Sequence, residues 1–95
     1  MNRKELVASV AEKQGFYKSE VETMVDTIFE TIMDNVAQGE DVRITNFGSF
    51  RPVKRKAKMA RNPQTGEAVY VEEKLVPVFK PAIIFKEKVA GVDEG

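Results

Sequence analysis

At 95 residues the chain suits a single domain, and a domain this small buries so little of its surface that its stability is expected to draw on a partner chain. The absence of cysteine and histidine excludes disulfides, thiolate metal sites and imidazole acid–base catalysis, so neither a metal nor a cofactor is expected. A formal net charge of zero lacks the basic excess usual for a nucleic-acid binder, but the charge is unevenly spread and its distribution carries the information.

The opening MNRKELVASVAEKQ interrupts its apolar residues with charges and has no signal-peptide core, and no stretch reaches transmembrane length, so a cytoplasmic location is expected. Asn2 and Glu5 have capping-box spacing. Leu6, Val7, Val10 and Ala11 then share one helical face until Gly15 offers a stop. Ser19 and Glu22 repeat the spacing and predict the start of a second helix, in which Val21, Met24, Val25, Ile28, Phe29, Ile32, Met33 and Val36 recur at three- and four-residue steps up to Gly39. This stripe is wider than the short first helix can cover, so its surplus is expected to pack on another element or another subunit. Residues 1–40 hold four Lys or Arg against eight Asp or Glu, a regional charge of −4.

From Val42 the period changes to two, with Val42 and Ile44 alternating with Arg43 and Thr45 as in a half-buried strand. Asn46, Phe47 and Gly48 predict a turn, since Asn and Gly accept positive φ, and a second strand follows from Ser49. Its continuation loses the apolar pattern and becomes basic: Lys54, Arg55, Lys56, Lys58 and Arg61 occur with no acid among them. Past the turn formers Asn62 to Gly66, the run Ala68, Val69, Tyr70 and Val71 predicts a returning strand, giving a long hairpin with nothing obvious to bury it. The chain is expected to re-enter the core at Leu75, Val76, Val78 and Phe79. Pro81 is then placed in the first turn of a short final helix carrying Ile84, Phe85 and Val89. Residues 41–88 hold eleven Lys or Arg against five acids, a charge of +6, and Asp93 and Glu94 complete the balance.

Cations at the density of residues 54–61 neutralise phosphates and release condensed counterions, whereas the bland alternative is a solvated face that keeps the ribbon soluble. Position in a two-stranded ribbon favours the first, because such ribbons enter DNA grooves. At the tip, Arg61 suits the negative potential of a narrow minor groove, Asn62 and Gln64 suit its acceptor edge, and Pro63 is a rigid apolar wedge; the same six residues, taken alone, are simply turn formers. A protein- or RNA-interaction module is the alternative of another class. An enzyme is not expected, since the carboxylates lie mainly on solvent faces of predicted helices.

The block ARNPQTGEAV at 60–69, with ITNFGSF at 44–50, VPVFKPA at 76–82 and two N-terminal helices, resembles the bacterial HU and integration host factor family over nearly the whole chain. The resemblance implies an α+β fold with an N-terminal helical hairpin, a three-stranded antiparallel sheet bearing a long β-ribbon arm and a short C-terminal helix, in an intertwined dimer. A single HU-like domain over 1–95 then divides into a helical dimerisation base (1–40), a sheet (41–80) with a DNA-binding arm at about 53–74, a helix (81–90) and a flexible acidic tail (91–95). Residue by residue, it assigns DNA contacts to Arg3, Lys54, Arg55, Lys56, Lys58, Arg61, Asn62, Pro63, Gln64, Lys80 and Lys86, with Pro63 intercalating and Lys18 at a basic position of the helical body. Phe29, Phe47, Phe50 and Phe79 fall to the dimer core.

The implied function is architectural: the bending, wrapping and compaction of double-stranded DNA in the nucleoid through minor-groove contacts with little sequence specificity. The implied partner chain is a second copy or a paralogue, with no membrane and no small-molecule substrate involved. A site-preferring relative like integration host factor, or a phage-encoded DNA-bending protein, is the alternative within the family. The chain departs from the family's frequent residues at Asn46, Ala60 and Ala82, where glycine is common, at Ile83, where lysine is common, and at Met59, where a basic residue is common.

Overall fold

The structure is a computed structural model that describes residues 1–91, so the acidic tail expected over 91–95 lies, from Val92 onward, outside the described residues. The chain forms two compact units, Met1–Asp34 and the part from Asn35 onward.

The first unit is a pair of helices, α1 (Arg3–Gln14) and most of α2 (Lys18–Ala37). The capping box at the start of α1 is complete: the Asn2 side chain accepts from the Glu5 N–H at 2.8 Å and Glu5 accepts from the Asn2 N–H at 3.0 Å. Gly15 ends the helix in the left-handed region at φ 71°. The start of α2 differs from the sequence expectation. Ser19 lies inside the helix, its carbonyl accepting from the Thr23 hydroxyl, and the chain enters the helix at Tyr17. The Tyr17 N–H donates to Glu20 at 3.1 Å, which is the acidic half of a capping box without a short polar side chain at position 17 to complete it.

Val7 and Ala11 of α1 bury against Val21 and Val25 of α2. A 12-residue helix covers about 18 Å of its 20-residue neighbour's roughly 30 Å. The stripe therefore outruns its cover, and Met24, Ile28, Phe29 and Met33 are exposed. Arg3 of α1 forms an ion pair with Asp26 of α2.

The second unit is built on a three-stranded antiparallel sheet of order β1 (Val42–Ile44), β2 (Gly48–Arg55) and β5 (Lys74–Pro81), followed by α3 (Ile83–Ala90). A separate two-stranded ribbon, β3 (Lys58–Arg61) and β4 (Ala68–Val71), lies between β2 and β5 in the chain. The expected long hairpin is thus present but interrupted, because Lys56–Ala57 on one side and Glu72–Glu73 on the other leave the ladder.

Register explains the prolines. Pro52 stands opposite Pro77, and Pro81 opposite Gly48. A proline has no N–H to exchange, so these are the non-hydrogen-bonded pairs, at which any N–H would point away from the partner strand. The pairing of β1 with β2 ends at Phe50, before Pro52, and Pro77 and Pro81 remove donors from the outer edge of β5. Pro81 is the last residue of β5, not part of the final helix as its sequence position suggested. Ala82 makes the transition into α3, donating its N–H to the Phe47 carbonyl at 2.9 Å.

The turn between β1 and β2 places Asn46 at φ 66°. Gly48 serves a different need from the positive φ expected of it. It is buried in β2, and a Cβ there would sit 2.6 Å from both the Lys80 carbonyl oxygen and the Phe79 ring. Asn is among the few residues that enter the left-handed region readily, so Asn46→Ala is expected to cost about 1 kcal/mol and Asn46→Gly little or nothing. Thermal melts of the two variants check this, and coincident curves would contradict it.

Phe47, Phe50 and Phe79 pack together within the chain, with centroids 4.8 Å apart for Phe50–Phe79 and 5.3 Å for Phe47–Phe79. Phe85 of α3, not among the predicted aromatic core, joins them by stacking on Phe47 at 5.3 Å. Phe29 belongs to the helical unit. The cluster is incompletely covered: Phe47 is 43% and Phe79 38% exposed. Leu75, expected in the core, is 55% exposed.

Candidate nucleic-acid interface

Alternate residues of a strand face opposite sides of the sheet, and the register fixes which cations share a side. Arg43, Ser49 and Lys80 align across the three strands, followed by Arg51 opposite Val78, Val53 opposite Val76 and Arg55 opposite Lys74. One face of the sheet therefore carries Arg43, Arg51, Arg55, Lys74 and Lys80, all exposed, and no acid. Val42, Ile44, Phe50, Pro52, Leu75, Pro77 and Phe79 occupy the other face.

Of these five cations, Arg55 lies in the basic run, and only Arg55 and Lys80 are assigned as contacts by the family resemblance. Arg43, Arg51 and Lys74 are isolated along the chain, and only the cross-strand register gathers them; the signal available beforehand was the period-two alternation of cations with apolar residues. Lys54 falls on the opposite, apolar face, where it pairs with Glu73 at 3.2 Å. Lys56 lies in the interruption of the ribbon.

The ribbon repeats the two-faced arrangement. Met59 stands opposite Tyr70 and Arg61 opposite Ala68 on one side, with Lys58 opposite Val71 and Ala60 opposite Val69 on the other. Met59 and Tyr70 are 63% and 62% exposed, so this is an apolar and cationic strip left open by the described residues. Such a two-stranded element is marginal unless something packs on it.

The tip loop is closed by a set of short-range bonds. The Asn62 N–H donates to the Glu67 carbonyl at 2.8 Å, and the Gly66 N–H donates to the Asn62 carbonyl at 2.7 Å. The Asn62 side-chain oxygen accepts from the Gln64 N–H at 2.9 Å, and Arg61 Nη1 donates to the Gly66 carbonyl at 2.6 Å. Gly66 takes φ 76° to make the turn. Pro63 is exposed within this loop. Among the remaining predicted contacts, Lys86 is exposed on α3, Arg3 is engaged with Asp26, and Lys18 opens α2.

Among the described residues no helix is long and apolar enough to cross a membrane, and no group of three or more acidic, Cys or His residues is placed to hold a metal ion.

The family model described as bacterial DNA-binding protein matches residues 1–90. DNA-binding protein HU of Thermotoga maritima is 46% identical over 89 residues, covering 94% of this chain and 99% of that protein. The SPbeta prophage-derived DNA-binding protein HU 2 of Bacillus subtilis is 45% identical, covering 94% and 97%. Among solved structures, the Anabaena HU–DNA cocrystal structure superposes with a TM-score of 0.88 at 40% identity, covering 95% of this chain and 98% of that one.

Proposed function

This chain belongs to the bacterial DNA-binding protein family that includes the HU proteins, and from that premise we propose how its own residues meet DNA. It is an architectural, histone-like protein that binds and bends double-stranded DNA with little sequence preference. The observation that carries the mechanism is the acid-free sheet face of Arg43, Arg51, Arg55, Lys74 and Lys80, joined in the same unit to a ribbon whose tip exposes Pro63.

Five cations on one face supply affinity without reading sequence, because phosphates are the same at every step. Lys58, Arg61, Asn62 and Gln64 extend the contact along the arm into the minor groove, where amide and guanidinium groups meet the acceptor edge. Pro63 wedges between base pairs. The unstacking it causes is offset by the additional surface that a bent duplex brings against the protein. Lys86 and Lys56 contribute phosphate contacts at the flanks, and Lys54 and Arg3 add less because their charges are already paired with Glu73 and Asp26.

The two units act as one HU-like domain completed by a second chain. The exposed Met24, Ile28, Phe29 and Met33 of the helices, and the half-covered Phe47 and Phe79 of the sheet, supply the apolar surface for a homodimer, or for a heterodimer with a paralogue. Catalysis has no part in this reading, and the place of action is the cytoplasmic nucleoid.

Arg55→Ala tests the electrostatic half. Each phosphate contact contributes roughly 0.9 to the slope of log K against log salt, so the variant's slope is expected to fall by about one unit per bound chain, with affinity reduced alike on unrelated sequences. Filter-binding titrations across a salt series check it. A loss confined to one sequence would sink the non-specific reading.

A further inference from the structure

Arg61 has the obvious part of one more cation at the end of a basic arm, but its geometry in the free chain points elsewhere. Its Nη1 donates to the Gly66 carbonyl at 2.6 Å across the neck of the tip loop, while the Gly66 N–H is already held by the Asn62 carbonyl. Both backbone groups of the residue that makes the turn are thereby occupied. The opposite wall of the loop is fixed by the bond from Gln64 N–H to the Asn62 side chain, and Pro63 lies between these two restraints.

We propose that Arg61 is a positioning residue, a clamp that presets the tip loop so that Pro63 is presented as a wedge before DNA arrives. This rests on the wedge reading of Pro63 and extends it to the residue that makes the wedge rigid. A loop of turn formers at the end of a marginal ribbon would otherwise sample several conformations, and fixing it on DNA would subtract from binding the entropy lost at that moment. Arg suits the task because its planar fork holds one carbonyl while further N–H groups stay free for DNA. Lysine offers the same charge as a mobile, strongly hydrated point without the fork.

Arg61→Lys therefore separates clamp from cation in the 95-residue chain. On a random duplex labelled at both ends, part of the affinity is expected to go with the guanidinium's groove contacts while the salt slope stays unchanged because the charge is kept, so bending is compared at saturating protein. Its bending is expected to fall to that of Pro63→Ala, and adding Arg61→Lys to Pro63→Ala should lower bending no further. In the free protein, amide exchange at Asn62 and Gly66 should accelerate in Arg61→Lys while the β3–β4 ladder amides keep their protection.

Wild-type bending by Arg61→Lys, an equal loss in both backgrounds, or unaltered exchange at Gly66 would each overturn the clamp. A wild-type protein that binds without bending would instead remove the wedge reading, and the exchange comparison would still decide whether Arg61 holds the loop.

Discussion

Pro63→Ala is expected to abolish most of the bend while leaving most of the affinity. The substitution removes a rigid apolar ring from the exposed tip but none of the cations of the sheet face or ribbon. Minor-groove wedges of this type kink duplexes by roughly 20–90° and cost a few kcal/mol of unstacking at each step, so losing the wedge removes both the cost and the geometry it creates. Affinity for a linear duplex should change modestly, because the lost contact area and the avoided unstacking oppose each other. Affinity for DNA already kinked by a nick should fall more, since there the unstacking was largely absent. End-to-end fluorescence transfer on intact and nicked duplexes reads both effects. Wild-type bending by the Pro63→Ala variant would leave the exposed proline an ordinary turn residue.

Gly48→Ala should markedly destabilise the sheet. The added methyl meets the Lys80 carbonyl oxygen at 2.6 Å, a backbone atom held in the β2–β5 ladder, and the Phe79 ring at the same distance. Neither can yield without cost: moving the carbonyl disturbs the ladder, and moving the ring disturbs its packing on Phe47, Phe50 and Phe85. Overpacking of this kind costs about 1–3 kcal/mol, and each kcal/mol shifts the midpoint of a domain this size by roughly 4–8 °C. Because the displaced Phe79 is also part of the apolar surface assigned to the partner chain, the midpoint should become more dependent on protein concentration. A thermal melt within a degree or so of wild type would show that the ring and strand accommodate the methyl freely.

The fold was legible in the sequence wherever a local physical rule acts alone. Asn2 and Glu5 fix the first helix start, Gly15 its end, and the alternation from Val42 the first strand, all through near-neighbour chemistry. The sequence misleads where two rules compete. Ser19 has the better capping side chain, yet the helix begins at Lys18, entered from Tyr17, whose N–H is met by Glu20; Pro81 favours a helix's first turn, yet equally suits the outward site at the end of an edge strand. Gly48 reads as a turn glycine because sequence shows backbone freedom and not the approach of Phe79. The arm's basic run is visible as a run. Arg43, Arg51 and Lys74 are not, because they meet only through register, and neither is the bond from Arg61 to Gly66, which the loop must close before it exists.

The measurement that bears most directly on architectural binding is an equilibrium titration of the unmodified protein on an end-labelled random duplex from about 50 to 200 mM salt, with binding and end-to-end transfer recorded together. The account predicts a steep linear fall of log K with log salt and a rise in transfer that tracks occupancy on any sequence tried. Binding that is insensitive to salt, or saturation without any change in end-to-end distance, would contradict it.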